Sequence, residues 1–509
     1  VKNSQKIVFN TGITYGKAVF TSIISLYATR LVLQALGAED FGLYNVVGGM
    51  IALLTFLNAA MTTATQRYLS FNLGKSDLDS VKRVFANSIV LHIIIGLIVV
   101  ILVEGFALYF IQNKLNVDPS RLETAKYILH FTVISTFITI ISVPYDAVIN
   151  AHENMSFLAV IGIFESILKL VVSVCLLYLS GDKLFIYGLL TMVSALIVRL
   201  IKRYYTLKSY EECKISLKEW YDPTEIRELT SFASWNVFGA LCSLARNQGV
   251  AVVLNLFYTT VVNAAYGIAN QINAQLMFFS QTMMSAIRPQ IMKSEGANDR
   301  GRMIRLSLSA NRLSFYLFTF FAIPLYFQMP FVLSVWLKNV PAYSVEFCRA
   351  ILLLTMANQI NMGLMTAVQA IGNIKLYQII AGGIQLLTLP IGFLFLNFGY
   401  PPYLIILVSF VLECISTVFR IFYFKHLTGY SIKSYFFGVI VKSFITMLPS
   451  VAVIFFICKS LNQIRWIEFI LISFLSACIY GLCILIYGLD KEEKEVFKGI
   501  FTKIKSKFI

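Results

Sequence analysis

A few charged side chains stand where a charge is costly, and they could do chemistry there. Lys17 lies about ten residues into the apolar run that begins near Ile7, which at 1.5 Å per residue puts it about 15 Å deep. Arg246 sits in the apolar segment SLARNQGV, flanked by Asn247 and Gln248. Glu165 and Lys169 are four residues apart, glutamate first, a spacing that lets the two meet on one helix face. Glu413 and Asp146 are further carboxylates in apolar surroundings, Asp146 nearer a helix end. A charge at the centre of a bilayer costs about 2.5–3.5 kcal/mol on insertion scales, so each such group faces a wet cavity or a partner. Lys17 and Arg246 could bind an anion by charge-assisted hydrogen bonds, or pair with a carboxylate. Glu165, Asp146 and Glu413 could take up a proton or Na⁺. Glu165 and Lys169 could also simply neutralise each other.

Amides form a second set. Asn263, Tyr266, Asn270, Asn273 and Gln281 recur at helical spacing, with Gln271 and Gln275 beside them. Asn358, Gln359, Asn361 and Gln369 repeat the theme. In lipid an unsatisfied amide costs several kcal/mol, so these stripes face other helices or a polar lumen suited to sugar hydroxyls. Covalent catalysis has no foothold. GITYGKA at 12–18 has three residues between its glycines where a phosphate-binding loop has four, and lacks Ser or Thr after Lys17. The four histidines, His92, His130, His152 and His426, have no ligand spacing, and the eight cysteines form no C-x-x-C pair. The reading is no catalytic residue, no metal and no cofactor.

The elements that hold these groups follow from composition. Of 509 residues, 58% are hydrophobic and 13% charged, and mean hydropathy is +0.75; a soluble domain carries about 25% charged residues. The pattern predicts an all-α, polytopic membrane protein with fourteen spans near 7–33, 41–66, 84–112, 124–148, 155–180, 184–205, 231–256, 260–286, 308–334, 347–370, 376–397, 402–424, 435–458 and 467–489. With the amino terminus inside, the inner segments carry twenty-nine Lys and Arg and the outer connections eight. That asymmetry puts both termini in the cytoplasm and assigns the net charge of +16 to membrane topology; no nucleic-acid partner is expected. Arg30, Glu104, Asp146, Arg312 and Lys442 fall nearer span ends, where snorkelling accounts for most of them. The start VKNSQK followed by an apolar run reads as an uncleaved first helix. No connection is long enough for a soluble catalytic domain.

The chain repeats itself. MTTATQR at 61–67 matches TMMSAIR at 282–288, and LVLQAL at 31–36 matches VVLNLF at 252–257, both offset by 221. The following loops share Gly74, Asp77 and Arg83 with Gly296, Asp299 and Arg305, offset by 222. Six helices per copy preserve orientation, so the repeats are parallel. The expected layout is a six-helix lobe at 1–205, a cytoplasmic linker at 206–230, a second six-helix lobe at 231–425, and a terminal helix pair with a basic tail at 426–509. Pro144, Pro324, Pro330 and Pro390 would kink helices. In the tail, Phe497, Ile500, Phe501, Ile504 and Phe508 line one face opposite five lysines, the pattern of a helix lying in the membrane surface.

RLVLQALGAEDFGLYNVVGGM (30–50), NLGKSDLDSVKR (72–83), VPYDAVINAHENMSF (143–157) and AVQAIGNIKLYQ (367–378) resemble bacterial polysaccharide repeat-unit flippases of the Wzx type, in the superfamily that also holds the multidrug and toxin extruders (MATE) and the lipid II flippase. The resemblance covers essentially the whole chain, through diffuse motifs. It implies a non-enzymatic transporter of the bacterial cytoplasmic (inner) membrane that moves undecaprenyl-diphosphate-linked oligosaccharide outward for O-antigen or capsule (surface polysaccharide) biosynthesis. It also implies contact with the polysaccharide polymerase machinery and a cationic lumen. The candidates for that lumen are Lys17, Arg246, Asn247, Gln248, Asn263, Asn270, Asn273 and Lys169, with Glu165, Glu413 and Asp146 for H⁺ or Na⁺ coupling. The alternative is a MATE-like exporter of organic cations, which calls for an excess of carboxylates instead. A membrane polymerase or ligase would need a sizeable outer loop, and none is expected.

Overall fold

The computed structural model describes residues 2–52, 55–113, 119–215, 217–337, 339–461, 465–491 and 493–495. The expected amphipathic tail, Phe497 to Phe508, lies outside the described residues. In chain order the helices are α1 Lys2–Ala52, α2 Thr55–Lys75, α3 Leu78–Asn113, α4 Leu122–Ile140, α5 Val143–Ala151, α6 Met155–Tyr178, α7 Lys183–Ser209, α8 Leu217–Trp220, α9 Pro223–Phe257, α10 Thr260–Gly296, α11 Arg300–Trp336, α12 Ser344–Gln359, α13 Met362–Ile371, α14 Lys375–Leu386, α15 Thr388–Asn397, α16 Leu404–Thr428, α17 Ile432–Tyr435, α18 Lys442–Ser460 and α19 Trp466–Cys483. α1 is broken at Gly37, whose φ of 78° and ψ of 171° only glycine adopts without strain.

Twelve stretches among the described residues are helices long and apolar enough to cross a membrane. The chain is a multi-pass membrane protein. The two remaining expected spans are also helical, as 38–52 with α2 and as α10, but their hydropathy falls short. Thr62, Thr63, Thr65, Gln66 and Arg67 dilute the first, and the Asn and Gln stripe dilutes the second. These two polar helices carry the 61–67 and 282–288 motifs of the repeat.

The structure divides into two compact units, Phe9–Val237 and Phe238–Ile509 together with Val1–Val8. Their turns repeat as the sequence does. In the first unit, Ser76 N donates to Leu73 O and Asp77 N to Asn72 O; in the second, Asn298 N donates to Glu295 O and Asp299 N to Ser294 O. Ser76 and Asn298 both adopt left-handed φ, 59° and 57°. Asp77 and Asp299 then cap the next helix, accepting from Ser80 N at 3.0 Å and Arg302 N at 2.9 Å.

Each unit also contains a span cut in two. α4 gives way to α5 at Ile141–Ser142, where Pro144 starts the second half, and α12 to α13 at Ile360–Asn361. The sequence reading has these as continuous spans at 124–148 and 347–370. Other residues complete the second break. Tyr435 Oη donates to Ile360 O at 3.1 Å, Asn311 Nδ2 donates to Tyr435 Oη at 3.0 Å, and Asn311 Oδ1 accepts from the Gly363 and Leu364 amides at 2.6 and 3.2 Å. Gly363 runs against the Ser307 backbone, and a Cβ there would collide with the Ser307 carbonyl. Because neither backbone can step aside, Gly363→Ala is expected to cost about 1–3 kcal/mol; thermal unfolding of the detergent-purified variant measures it, and an unchanged midpoint would refute the close fit.

Four of the five residues expected to snorkel, Glu104, Asp146, Arg312 and Lys442, have partners instead. Arg312 is buried, paired with Asp490 and, at 2.8 Å, with Glu493, and it donates to Gly438 O at 3.3 Å. Lys442 also pairs with Asp490. Glu104 meets His130 at 2.9 Å, and Asp146 meets Lys202 at 2.9 Å. Once a charge is buried, an opposite charge beside it offsets part of the desolvation cost that it would otherwise carry alone. Arg199, Lys202 and Arg203, at the end of the span expected at 184–205, lie within α7, which continues to Ser209.

The segment between α7 and α9 is strapped to the first unit. Glu212 pairs with His152, whose ring stacks on Tyr210 at 4.3 Å. Asn87 donates to Trp220 O at 3.1 Å and accepts from Asp222 N at 2.9 Å. Burial works to raise the Glu212 carboxyl, but the hydrogen bond and charge of His152 outweigh it and hold the group below its ordinary range. A depressed folded-state value means that this contact contributes fully above the unfolded value of about 4.3 and is lost as pH falls through the folded one. Amide exchange over 210–222, corrected for its intrinsic pH dependence, is therefore expected to speed up below about pH 4 in the wild type. In Glu212→Gln that step disappears; a step of the same size in the variant would assign it to another group.

Candidate functional site

Within the first unit, α1, α5, α6 and α7 bring four charged groups of opposite sign together. Lys17 on α1 is half-buried and lies over Gly162 of α6, its Nζ 2.6 Å from where a Cβ at that glycine would stand. Glycine is what leaves room for the lysine stem. The charges near enough to act on Lys17 are Glu165, Lys202 and Asp146. Asp146 is already occupied, with Lys202 Nζ at 2.9 and 3.0 Å from its two oxygens. One turn earlier on α7, Arg199 has its Nη1 buried without a hydrogen-bond partner, and Arg199 interacts with Tyr145 and Arg203. Lys17 and Lys202 are matched by Asp146 and Glu165, and Arg199 and Arg203 add two further cations on α7 beside Lys202.

Lys169 does not pair with Glu165. Its ammonium donates to Ser25 Oγ at 3.0 Å, across to α1, so the i,i+4 neutralisation that the spacing allows does not form and Glu165 remains for Lys17. Exposed lysines lose little by this exchange, since an i,i+4 pair is worth only about 0.2–0.5 kcal/mol.

The second unit holds the other candidates. Arg246 donates through Nε and Nη2 to Asn247 Oδ1 at 3.2 and 3.1 Å, and the Glu413 and Arg420 charges act on it. Asn247 and Gln248 are exposed. Tyr266 of α10 ties to this point through Oη, 3.3 Å from Asn247 O. Asn270 and Asn273 turn along their own helix, to Tyr266 O and Met277 Sδ, while Asn263 Oδ1 and Asn273 Oδ1 are buried without partners. Glu413 is fully buried. One oxygen lies 2.5 Å from Arg420 Nη1 and 3.4 Å from Asn361 Nδ2; the other has no hydrogen bond. Arg420, Arg199 and Lys202 are the charged groups beside these candidates that sequence reasoning missed. Glu413 and Arg420 are two helical turns apart, a spacing that could have flagged the first; nothing local links Lys202 to Asp146.

The 30–50 motif has a structural part. Gly37 breaks α1, and Asp40 beyond it pairs with Arg121 at 2.9 Å, which also reaches Asp182 at 3.3 Å. Among the described residues, no three His, Cys, Asp or Glu side chains gather as a metal site.

Solved structures share this fold. A MATE transporter in its bent conformation matches with a TM-score of 0.71 at 15% identity, over 84% of this chain and 98% of that one. This chain has the MATE transporter fold. A MOP-superfamily transporter from Pyrococcus furiosus, described as having a binding pocket of reversed polarity that suggests a different function, has the same fold with a TM-score of 0.67 at 14% identity, over 84% of this chain and 96% of that one. The MatE family model matches residues 17–175, from Lys17 into α6. The uncharacterized membrane protein EpsK of Bacillus subtilis is 19% identical over 311 residues, which span 61% of this chain and 61% of EpsK. On the MATE fold, Lys17 and Asp146 stand in the region matched by the family model, and Arg246 and Glu413 in the second unit.

Proposed function

We propose that this protein flips undecaprenyl-diphosphate-linked oligosaccharide across the bacterial cytoplasmic membrane by alternating access, for surface polysaccharide assembly. The observation that carries the reading is the excess of Lys17, Arg199, Lys202 and Arg203 over Asp146 and Glu165 among apolar helices. Such a cluster holds a diphosphate by charge-assisted hydrogen bonds, which are about twice as strong as neutral ones. Arg246, Asn247, Gln248 and the amides Asn263, Asn270 and Asn273 offer donors and acceptors to sugars. Translocation breaks no covalent bond, so the side chains need only bind, release and exclude lipid. Glu413, Asp146 and Glu165 are the candidates to take up H⁺ or Na⁺, and Glu413 and Asp146 each keep one buried oxygen without a hydrogen bond.

The fold itself favours a second reading, export of organic cations. Free carboxylates would serve that chemistry, yet Asp146 and Glu413 are taken up by Lys202 and Arg420. Expression in cells lacking their own repeat-unit flippase separates the two. Restored surface polysaccharide supports flipping; resistance to cationic dyes with no polysaccharide moves the function to the exporter class.

A further inference from the structure

We propose that His92 binds a coupling proton in the first unit: on the alternating-access reading above, and whatever the cargo, the ring is neutral where it is buried and takes up a proton where the unit opens to water. His92 lies fourteen residues beyond Leu78, about 21 Å along α3 and inside the membrane span Leu78–Tyr109. It is the one fully buried histidine of the four. Its Nδ1 stands 2.6 Å from Ser88 O. A carbonyl only accepts, so Nδ1 carries the hydrogen and Nε2 is the bare nitrogen of a neutral ring. That nitrogen is buried with no hydrogen-bond partner among the described residues. Ser88 Oγ, one turn back on the same face, and Ser70 Oγ on the adjoining α2 are also buried without partners there. A basic nitrogen that finds no donor in a dry site is satisfied once water or a proton reaches it.

Among the described residues no charge is in place to hold an imidazolium in this conformation. Arg67 and Lys75 of α2 lie over the Phe71 ring, and Lys126 of α4 pairs with Glu123. Glu104 takes His130, Asp146 of α5 takes Lys202, and Glu212 takes His152, while Tyr145 of α5 meets Phe85 edge-on. Neither these groups nor Cys213 and Glu219 act on His92. A proton on Nε2 would therefore be an unpaired charge in the membrane interior, and closing the unit over the ring returns it to water. Opening reverses the step: a proton from water bonds to Nε2, and the imidazolium donates from both nitrogens. The repeat carries no second copy, since the offset of 222 puts Ser314 at the matching position. The ring therefore titrates the first unit alone.

Amide exchange over 84–96, corrected for its intrinsic pH dependence and measured on the full chain in detergent without cargo, tests this. In the wet form the ring titrates near the ordinary value of about 6.5, and each pH unit below it favours that form by up to about tenfold. Exchange in the wild type is therefore expected to rise about tenfold between about pH 7.5 and about pH 5.5. His92→Gln, which cannot titrate, should lose the rise, while His130→Gln and His426→Gln should keep it. An equal rise in His92→Gln overturns the site, as does a flat wild type. In a chain whose other three histidines are replaced by Gln, nitrogen-15 NMR reads the ring directly, so the site stays testable if His92→Gln does not fold. A bare Nε2 at the upper pH and two protonated nitrogens at the lower one are expected; a bare Nδ1, or a ring neutral throughout, overturns the proposal. A chain that restores no surface polysaccharide yet shows the rise keeps the proton site and loses only the oligosaccharide cargo.

Discussion

Replacing Lys17 with Ala should lower repeat-unit flipping by at least about tenfold, since a hydrogen bond to a charged group is worth about 1.5–3 kcal/mol. The lysine is the only one of the four cations in its cluster that comes from α1, and its stem rests on Gly162. Lys202 is engaged by Asp146, so Lys17 carries charge that a ligand can use. Lys17→Arg keeps the charge and is expected to retain part of the activity. Gly162→Ala keeps Lys17 itself but pushes its ammonium aside, and an intermediate loss there would show that position matters as well as charge. The readout is the rate at which surface polysaccharide reappears in flippase-deficient cells at matched expression. Wild-type rates in Lys17→Ala would take the anion site out of this cluster.

Arg420→Met should be the most damaging single change to stability. It leaves the Glu413 carboxylate buried without its partner, and breaking a buried pair from one side costs about 3–5 kcal/mol. The double variant Glu413→Gln, Arg420→Met removes both charges and is expected to recover most of that loss, because a buried ion pair contributes little net stability over apolar packing. Glu413→Gln alone leaves Arg420 over the Tyr377 ring at 5.8 Å, a contact that partly compensates. Unfolding midpoints in detergent rank the three. Should the double variant fold yet lose the dependence of flipping on H⁺ or Na⁺, Glu413 is the coupling group; an unchanged ion dependence assigns coupling elsewhere.

Much of the fold can be read from hydropathy and repetition alone. The offset of 221 to 222 between short motifs reappears as identical turn hydrogen bonds at Asp77 and Asp299, because capping chemistry is local and survives divergence. The breaks at Ile141–Ser142 and Ile360–Asn361 are not legible, since a hydropathy window averages across two residues and the second break contains neither Pro nor Gly. Lys17, Glu165 and Asp146 could be chosen as costly charges but not placed together, because their neighbours in sequence are apolar in every direction. Arg312, read as a snorkelling residue, and Arg420, near the end of the span at 402–424, escape for the opposite reason: charges crowd these ends of the spans, and only tertiary structure shows which of them are buried.

The hydrogen bonds of Tyr435 and Arg312 bear on how orientation can be measured. Reporter enzymes joined to a shortened chain are the usual route to a topology map. A cut after Thr428 strips the phenol from the Ile360 carbonyl and both carboxylates from Arg312. The remaining lobe would then be a quality-control substrate, and a silent reporter would signify degradation as readily as sidedness. Epitope tags inserted into the intact chain, or cysteine accessibility measured on it, avoid that confusion.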